Sequence, residues 1–107
     1  MEMNHYFNDW KKYVKDICDA VKEKLPDAKI IVFGSILKGN YVSSLSDIDV
    51  LIVSDRVGDV IWRANMDKYI RERVFGNKIH PFEFHYSTYK EYEEWYKDFI
   101  DKKIEMC

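Results

Sequence analysis

Asp47 and Asp49 stand two residues apart at the head of an apolar run, Ile48-Asp49-Val50-Leu51-Ile52-Val53. On a strand, side chains alternate between faces, so both carboxylates project from one face with Cα atoms roughly 6–7 Å apart. Ile48, Val50 and Ile52 then turn the other way, into a packed layer. Two carboxylates on an otherwise apolar strand are costly unless something neutralises them. A hard divalent cation such as Mg²⁺ does so through oxygen ligands in near-octahedral geometry. The competing reading is an exposed edge strand with two solvated aspartates. The uninterrupted apolar stretch over 50–53 argues against it.

Eleven residues separate Asp47 from a second feature, Gly34-Ser35, which follows the β-branched run Lys29-Ile30-Ile31-Val32-Phe33. Glycine lets another group approach the backbone closely, and a chain turning into a helix presents unpaired N–H groups. Ser35 adds a hydroxyl able to donate to a phosphate. Alone, Gly-Ser is a turn signal. Its weight comes from its place, after one buried strand and before an Asp-x-Asp on the next.

The elements that must position these groups follow from periodicity. Trp10, Val14, Ile17, Val21 and Leu25 form one helical stripe within residues 4–25, ended by Pro26. Residues 28–33 and 47–54 read as buried strands, joined by a turn-rich connection over 36–46 with one helical turn after Ser35. Residues 58–75 read as a helix with Val60, Ile61, Ala64, Ile70 and Val74 inward, closed by Gly76-Asn77 as a left-handed cap. Residues 81–86 alternate aromatic with polar and form a third strand, with Pro81 at its start. Thr88 to Glu91 is a capping box, and the helix it opens carries Tyr92, Trp95, Phe99 and Ile100 on one side. The order is α-β-turn-β-α-β-α. The expectation is a single α/β domain over 1–107, a small mixed sheet flanked by helices.

Gly34-Ser35 followed by Asp47-Ile48-Asp49-Val50 resembles the signature of the DNA polymerase beta nucleotidyltransferase superfamily. The short chain is similar to the minimal nucleotidyltransferases within it. The resemblance runs from about Ile31 to Tyr86 and implies two Mg²⁺ ions and transfer of a nucleoside monophosphate, AMP from ATP, to an acceptor hydroxyl. Asp47 and Asp49 would be catalytic metal ligands, and Gly34, Ser35, Lys38 and Ser46 would meet the nucleotide. The family also implies a third carboxylate on a neighbouring strand. Glu83 is the well-placed candidate, sharing a face with Pro81 and His85 while Phe82, Phe84 and Tyr86 take the other. His80 and His85, five apart, face opposite ways. His85 could sit near the site, but it is read as structural or solvent-facing. Family members often carry a basic residue directly after Gly-Ser, where this chain has Ile36, and another two positions later, where it has Lys38. Arg63 is a further candidate for phosphate contact.

Composition sets the remaining bounds. At 107 residues with 47% apolar and 16% aromatic residues, the chain can fill one core, which excludes a disordered tail. No apolar run is long enough to span a membrane. Residues 1–5 lack the basic start and apolar stretch of a secretory signal, so a cytoplasmic location is expected. Seventeen Lys and Arg against nineteen Asp and Glu make nucleic acid an unfavoured partner, and Arg63, Lys68, Arg71 and Arg73 read as a solvated helix face. Cys18 and Cys107 make no disulfide framework. Cys18 reads as a small core residue and Cys107 as a mobile end. The chain has no room for a second domain. In the resembled group the missing half is often a HEPN-type helical protein, forming a toxin–antitoxin pair in which the nucleotidyltransferase adenylylates its toxin. The aromatic residues suit such a partner or a homo-oligomer surface, and equally a core. The rival reading is an antitoxin that neutralises its partner by binding alone.

Overall fold

Pro26 and Gly34 punctuate the chain where their backbone chemistry requires. The computed structural model describes residues 3–39 and 47–107. Helices α1 (Asn4–Asn8) and α2 (Trp10–Lys24) precede strand β1 (Lys29–Phe33) and the single turn α3 (Ser35–Lys38). Strand β2 (Ile48–Val53), helix α4 (Val60–Phe75) and strand β3 (Phe82–Ser87) follow. A final helical segment runs as α5 (Tyr89–Glu91), a π turn (Tyr92–Tyr96) and α6 (Lys97–Phe99), before strand β4 (Lys103–Glu105). The sheet order is β3-β2-β1-β4. β1 runs antiparallel to β2 and β4, whereas β2 and β3 are parallel through the α4 crossover. This is the mixed, helix-flanked sheet expected from the sequence.

The register explains why the site faces outward. Ile30 pairs with Ile52 and Val32 with Val50, and together with Ile48 they fill one face. Val14, Ile17 and Val21 of α2 and Met66, Ile70 and Phe75 of α4 cover that face. Each such isoleucine, fully buried, contributes roughly 1.5–3 kcal/mol. A one-residue slip of β2 would expose Ile48, Val50 and Ile52 and drive Asp49 into the core, so core packing also fixes the carboxylate's direction. On the second face Tyr92 covers Ile31, Leu51 and Val53, with Tyr96 and Ile100 packed alongside. Glu83 stays exposed there, with Asp49 and His85 half-buried.

Four details depart from the sequence-based expectation. The first helix breaks at Asp9, which lets Tyr6 reach Phe75 and Phe82 at ring distances of 5.6 and 6.3 Å. On α4, Val60 and Ile61 are 81% and 71% exposed, and the inner seam is Trp62, Met66, Ile70, Val74 and Phe75. Apolar residues lie on several sides of that helix, so its sequence does not resolve the phase. In the last helix Trp95 and Phe99 point outward while Tyr92, Tyr96 and Ile100 face the sheet. The π turn has more residues per turn, so residues four apart stack where a three-four pattern was expected.

The fourth departure concerns the C-terminus. β4 is a short, charged, exposed edge strand, a type that carries little hydrophobic signal. Its ladder with β1 continues as Met106 N–H donates to Ile30 and Ile30 N–H donates to Cys107. Cys107 is thereby carried to α2, where a disulfide joins it to Cys18 with Cα atoms 6.5 Å apart. The terminal residue is anchored, and the reading of both cysteines as unpaired is corrected.

His80 gives the fold a pH dependence. Its ring stacks on Phe75 at 4.2 Å, and its Nδ1 accepts from Phe82 N–H at 3.1 Å. Burial, with a smaller contribution from the Arg71 charge, pushes its pKa down to about 4 from 6.5. The folded state therefore prefers neutral imidazole. The stabilisation is complete above about pH 6.5 and is lost as pH falls toward about 4. Thermal melts across that window should show wild type losing on the order of 2 kcal/mol more than His80→Phe, which keeps the stack but cannot titrate. Parallel pH profiles for the two proteins would refute this role.

Candidate active site

Strand register brings two of the three expected carboxylates, Asp49 and Glu83, together. Asp49 sits directly opposite Phe33 of β1 on one side and Glu83 of β3 on the other. Side chains opposite one another share a face, so Asp49 and Glu83 project together. Two residues along β3, His85 joins that face, its Nε2 3.2 Å from Asp49 Oδ1. Phe33 packs against the His85 ring at 5.4 Å. Ligand atoms of Asp49, Glu83 and His85 all lie within 4.8 Å of one another.

Asp47 is exposed just before β2 and close to Glu83. The two line a groove of about 440 Å³ along the outer edge of β3 with Asp67, Arg71, His80, Phe82 and Phe84. Glu83 has its pKa raised, first by burial and then by the negative charges of Asp49 and Asp47, against a lowering from His85. The His85 pKa is also raised, chiefly by its hydrogen bond to Asp49. The cluster therefore carries a surplus of negative charge that His85 only partly offsets.

Gly34 supplies the opposite wall. Its φ of +91° is in the region that favours glycine, and a Cβ there would lie 2.5 Å from Asp49 Oδ2. The β1 backbone thus presses on one oxygen of Asp49 while His85 contacts the other. Gly34→Ala combines backbone strain with displacement of that carboxylate. It should reduce nucleotidyl transfer by about a hundredfold or more and stability by about 1–3 kcal/mol. Turnover and melting curves would check both, and an alanine variant with wild-type turnover would contradict the close approach.

The other expected residues are placed less uniformly. Ser35 opens α3 beside Gly34. Ile36 is buried in the core cluster. Lys38 is an exposed residue whose Nζ lies 3.7 Å from Asp101. Such a surface pair is worth at most about 1 kcal/mol and leaves the ammonium able to turn elsewhere. Ser46 lies outside the described residues. Arg63 donates to the Gly58 carbonyl in the loop after β2. Arg71 pairs with Asn77 and Arg73 with Glu23, consistent with an outer helix face.

Sequence reasoning allowed His85 near the site but favoured a structural or solvent-facing role; it stands inside the cluster. Its i, i+2 relation to Glu83 was the available signal. Asp67 was not singled out at all. It lines the groove from α4, is held by the Tyr86 hydroxyl at 2.6 Å, and has its pKa raised by burial. A further hollow of about 490 Å³, bounded by Trp62, Met66 and Tyr69 among others, has no carboxylate in its lining and shares no residue with the cluster.

Residues 14–105 match the family model for the nucleotidyltransferase domain. The chain belongs to that family. A crystal structure of a protein to which nucleotidyltransferase function is ascribed is 38% identical, with TM-score 0.66, covering 87% of this chain and 96% of the other. A second, from Sulfolobus solfataricus, shares the fold at 23% identity and TM-score 0.62, covering 94% of this chain and 82% of the other. No curated protein is a significant match. Membership in the nucleotidyltransferase family supports nucleotidyl transfer as the general activity, and domains of this family generally use a nucleoside triphosphate and a divalent metal.

Proposed function

We propose that this nucleotidyltransferase moves AMP from ATP to an acceptor hydroxyl, with Asp47, Asp49 and Glu83 as its catalytic, metal-holding carboxylates. The observation that carries the reading is the in-register meeting of Asp49 and Glu83 across β2 and β3, against the Gly34 backbone. Three acidic side chains around one open face fit hard divalent cations, Mg²⁺ by family resemblance and two ions by the same argument. Bound there, such ions supply positive charge to the leaving pyrophosphate and lower the pKa of the attacking hydroxyl.

The chain's own residues do the rest. Gly34 gives the triphosphate close access to the backbone, and Ser35 offers a hydroxyl donor. Ser46 and Lys38 complete the nucleotide contacts, Lys38 by leaving Asp101 for a phosphate. Glu83, beside the acceptor, takes the proton of its hydroxyl.

The setting we favour is the antitoxin half of a toxin–antitoxin pair, acting in the cytoplasm on a HEPN-type helical partner. Trp95 and Phe99, exposed on the last helix, support a partner surface. The rival reading, neutralisation by binding alone, drew on the uncharged Ile36. That residue packs in the core, so its lack of charge has a structural reason and weakens the rival. Incubation with α-labelled ATP and Mg²⁺, with and without a helical partner, should yield labelled product. Absence of label under all conditions, with partner binding intact, would favour the rival.

A further inference from the structure

We propose that His85 is a direct ligand of the divalent ion held by Asp49 and Glu83, making the donor set mixed oxygen and nitrogen. The inference rests on the metal-holding role assigned above to those carboxylates. Such a site accepts Mg²⁺ but binds Mn²⁺ and later transition ions more tightly than carboxylates alone would, because imidazole nitrogen is a poor ligand for Mg²⁺.

The geometry carries the argument. Neighbouring ligands around one ion, at bond lengths of about 2.1 Å, lie about 3 Å apart. His85 Nε2 and Asp49 Oδ1 are already 3.2 Å apart, and the Glu83 carboxylate lies within 4.8 Å of both. Each of the three is held. Gly34 backs the far oxygen of Asp49, β3 fixes Glu83 and His85 two residues apart on one face, and Phe33 packs on the imidazole. Asp47 precedes the strand and falls outside this triad among the described residues. When Nε2 donates to Asp49 it bears the ring hydrogen. As a ligand it presents its lone pair, and the hydrogen resides on Nδ1.

Mn²⁺ alone is the probe. Pulsed electron paramagnetic resonance of the full chain with Mn²⁺ should show coupling to an imidazole nitrogen. That coupling should persist in His80→Phe and vanish in His85→Asn. Competition between Mn²⁺ and Mg²⁺ should show the affinity ratio falling by about tenfold in His85→Asn. The wild-type spectrum stands as a test even if that variant does not fold. Mn²⁺ bound in an Asp49-dependent manner but without nitrogen coupling would overturn the role of His85 and leave the carboxylate site intact. Mn²⁺ binding that survives Asp49→Asn, or none in wild type, would overturn the carboxylate site as well.

Discussion

Asp49→Asn should lower nucleotidyl transfer by about a thousandfold or more while leaving the melting temperature nearly unchanged. A divalent ion at a reacting phosphate is worth several kcal/mol of transition-state charge stabilisation, and each 1.36 kcal/mol is about a tenfold change in rate. Asparagine keeps the shape of the side chain and can still meet His85, so packing against Gly34 and β3 survives. It removes the negative charge that an ion requires. It also removes one of the charges that raises the Glu83 pKa, which relieves repulsion within the fold. Stability is therefore expected to change little, the weakened pairing with His85 offsetting the relieved repulsion. Asp47→Asn should follow the same pattern in activity, since Asp47 is exposed and has little packing to lose. Turnover of α-labelled ATP alongside thermal melts measures both halves. Full activity in either variant would remove the carboxylates from the mechanism.

Reduction of Cys18–Cys107 is the perturbation expected to cost the most stability. The bond closes a loop of 89 residues, nearly the whole chain. For loops of this size the chain-entropy model gives about 4–5 kcal/mol, and measured losses are typically about 2–4 kcal/mol. In a domain of this length that corresponds to a drop in melting temperature of roughly 10 °C or more. Beyond the entropic effect, the bond fastens the segment that continues β4 along β1. Paired melts with and without reductant, and a Cys18→Ala Cys107→Ala double variant, should agree. The unreduced protein should show no free thiol in denaturant and two after reduction. Two thiols before reduction would disprove the link.

Local chemistry carried much of this protein in its sequence. Pro26 had to end a helix, Thr88 and Glu91 had to cap one, and the β-branched runs around 29–33 and 48–53 had to be buried strands. Period-two alternation then put Asp47 with Asp49, and Glu83 with His85, on shared faces before any neighbour was known. Family membership was likewise legible, because Gly34-Ser35 and Asp-x-Asp sit at the edges of those strands.

Long-range packing decided the rest. Which residue of β3 stands opposite Asp49 depends on register, and register is set by core contacts distant in sequence. That is why the contact of His85 with Asp49 is not legible in the sequence. Its proximity to Asp49 exists only across the β2–β3 pair. β4 and the disulfide depend on the chain end returning to β1, for which three exposed residues, two of them charged, give no local signal. The phase of α4 and the π turn of the last helix were settled by which apolar side chains the sheet could accommodate, since the sequence offered more apolar positions than either interface had room for.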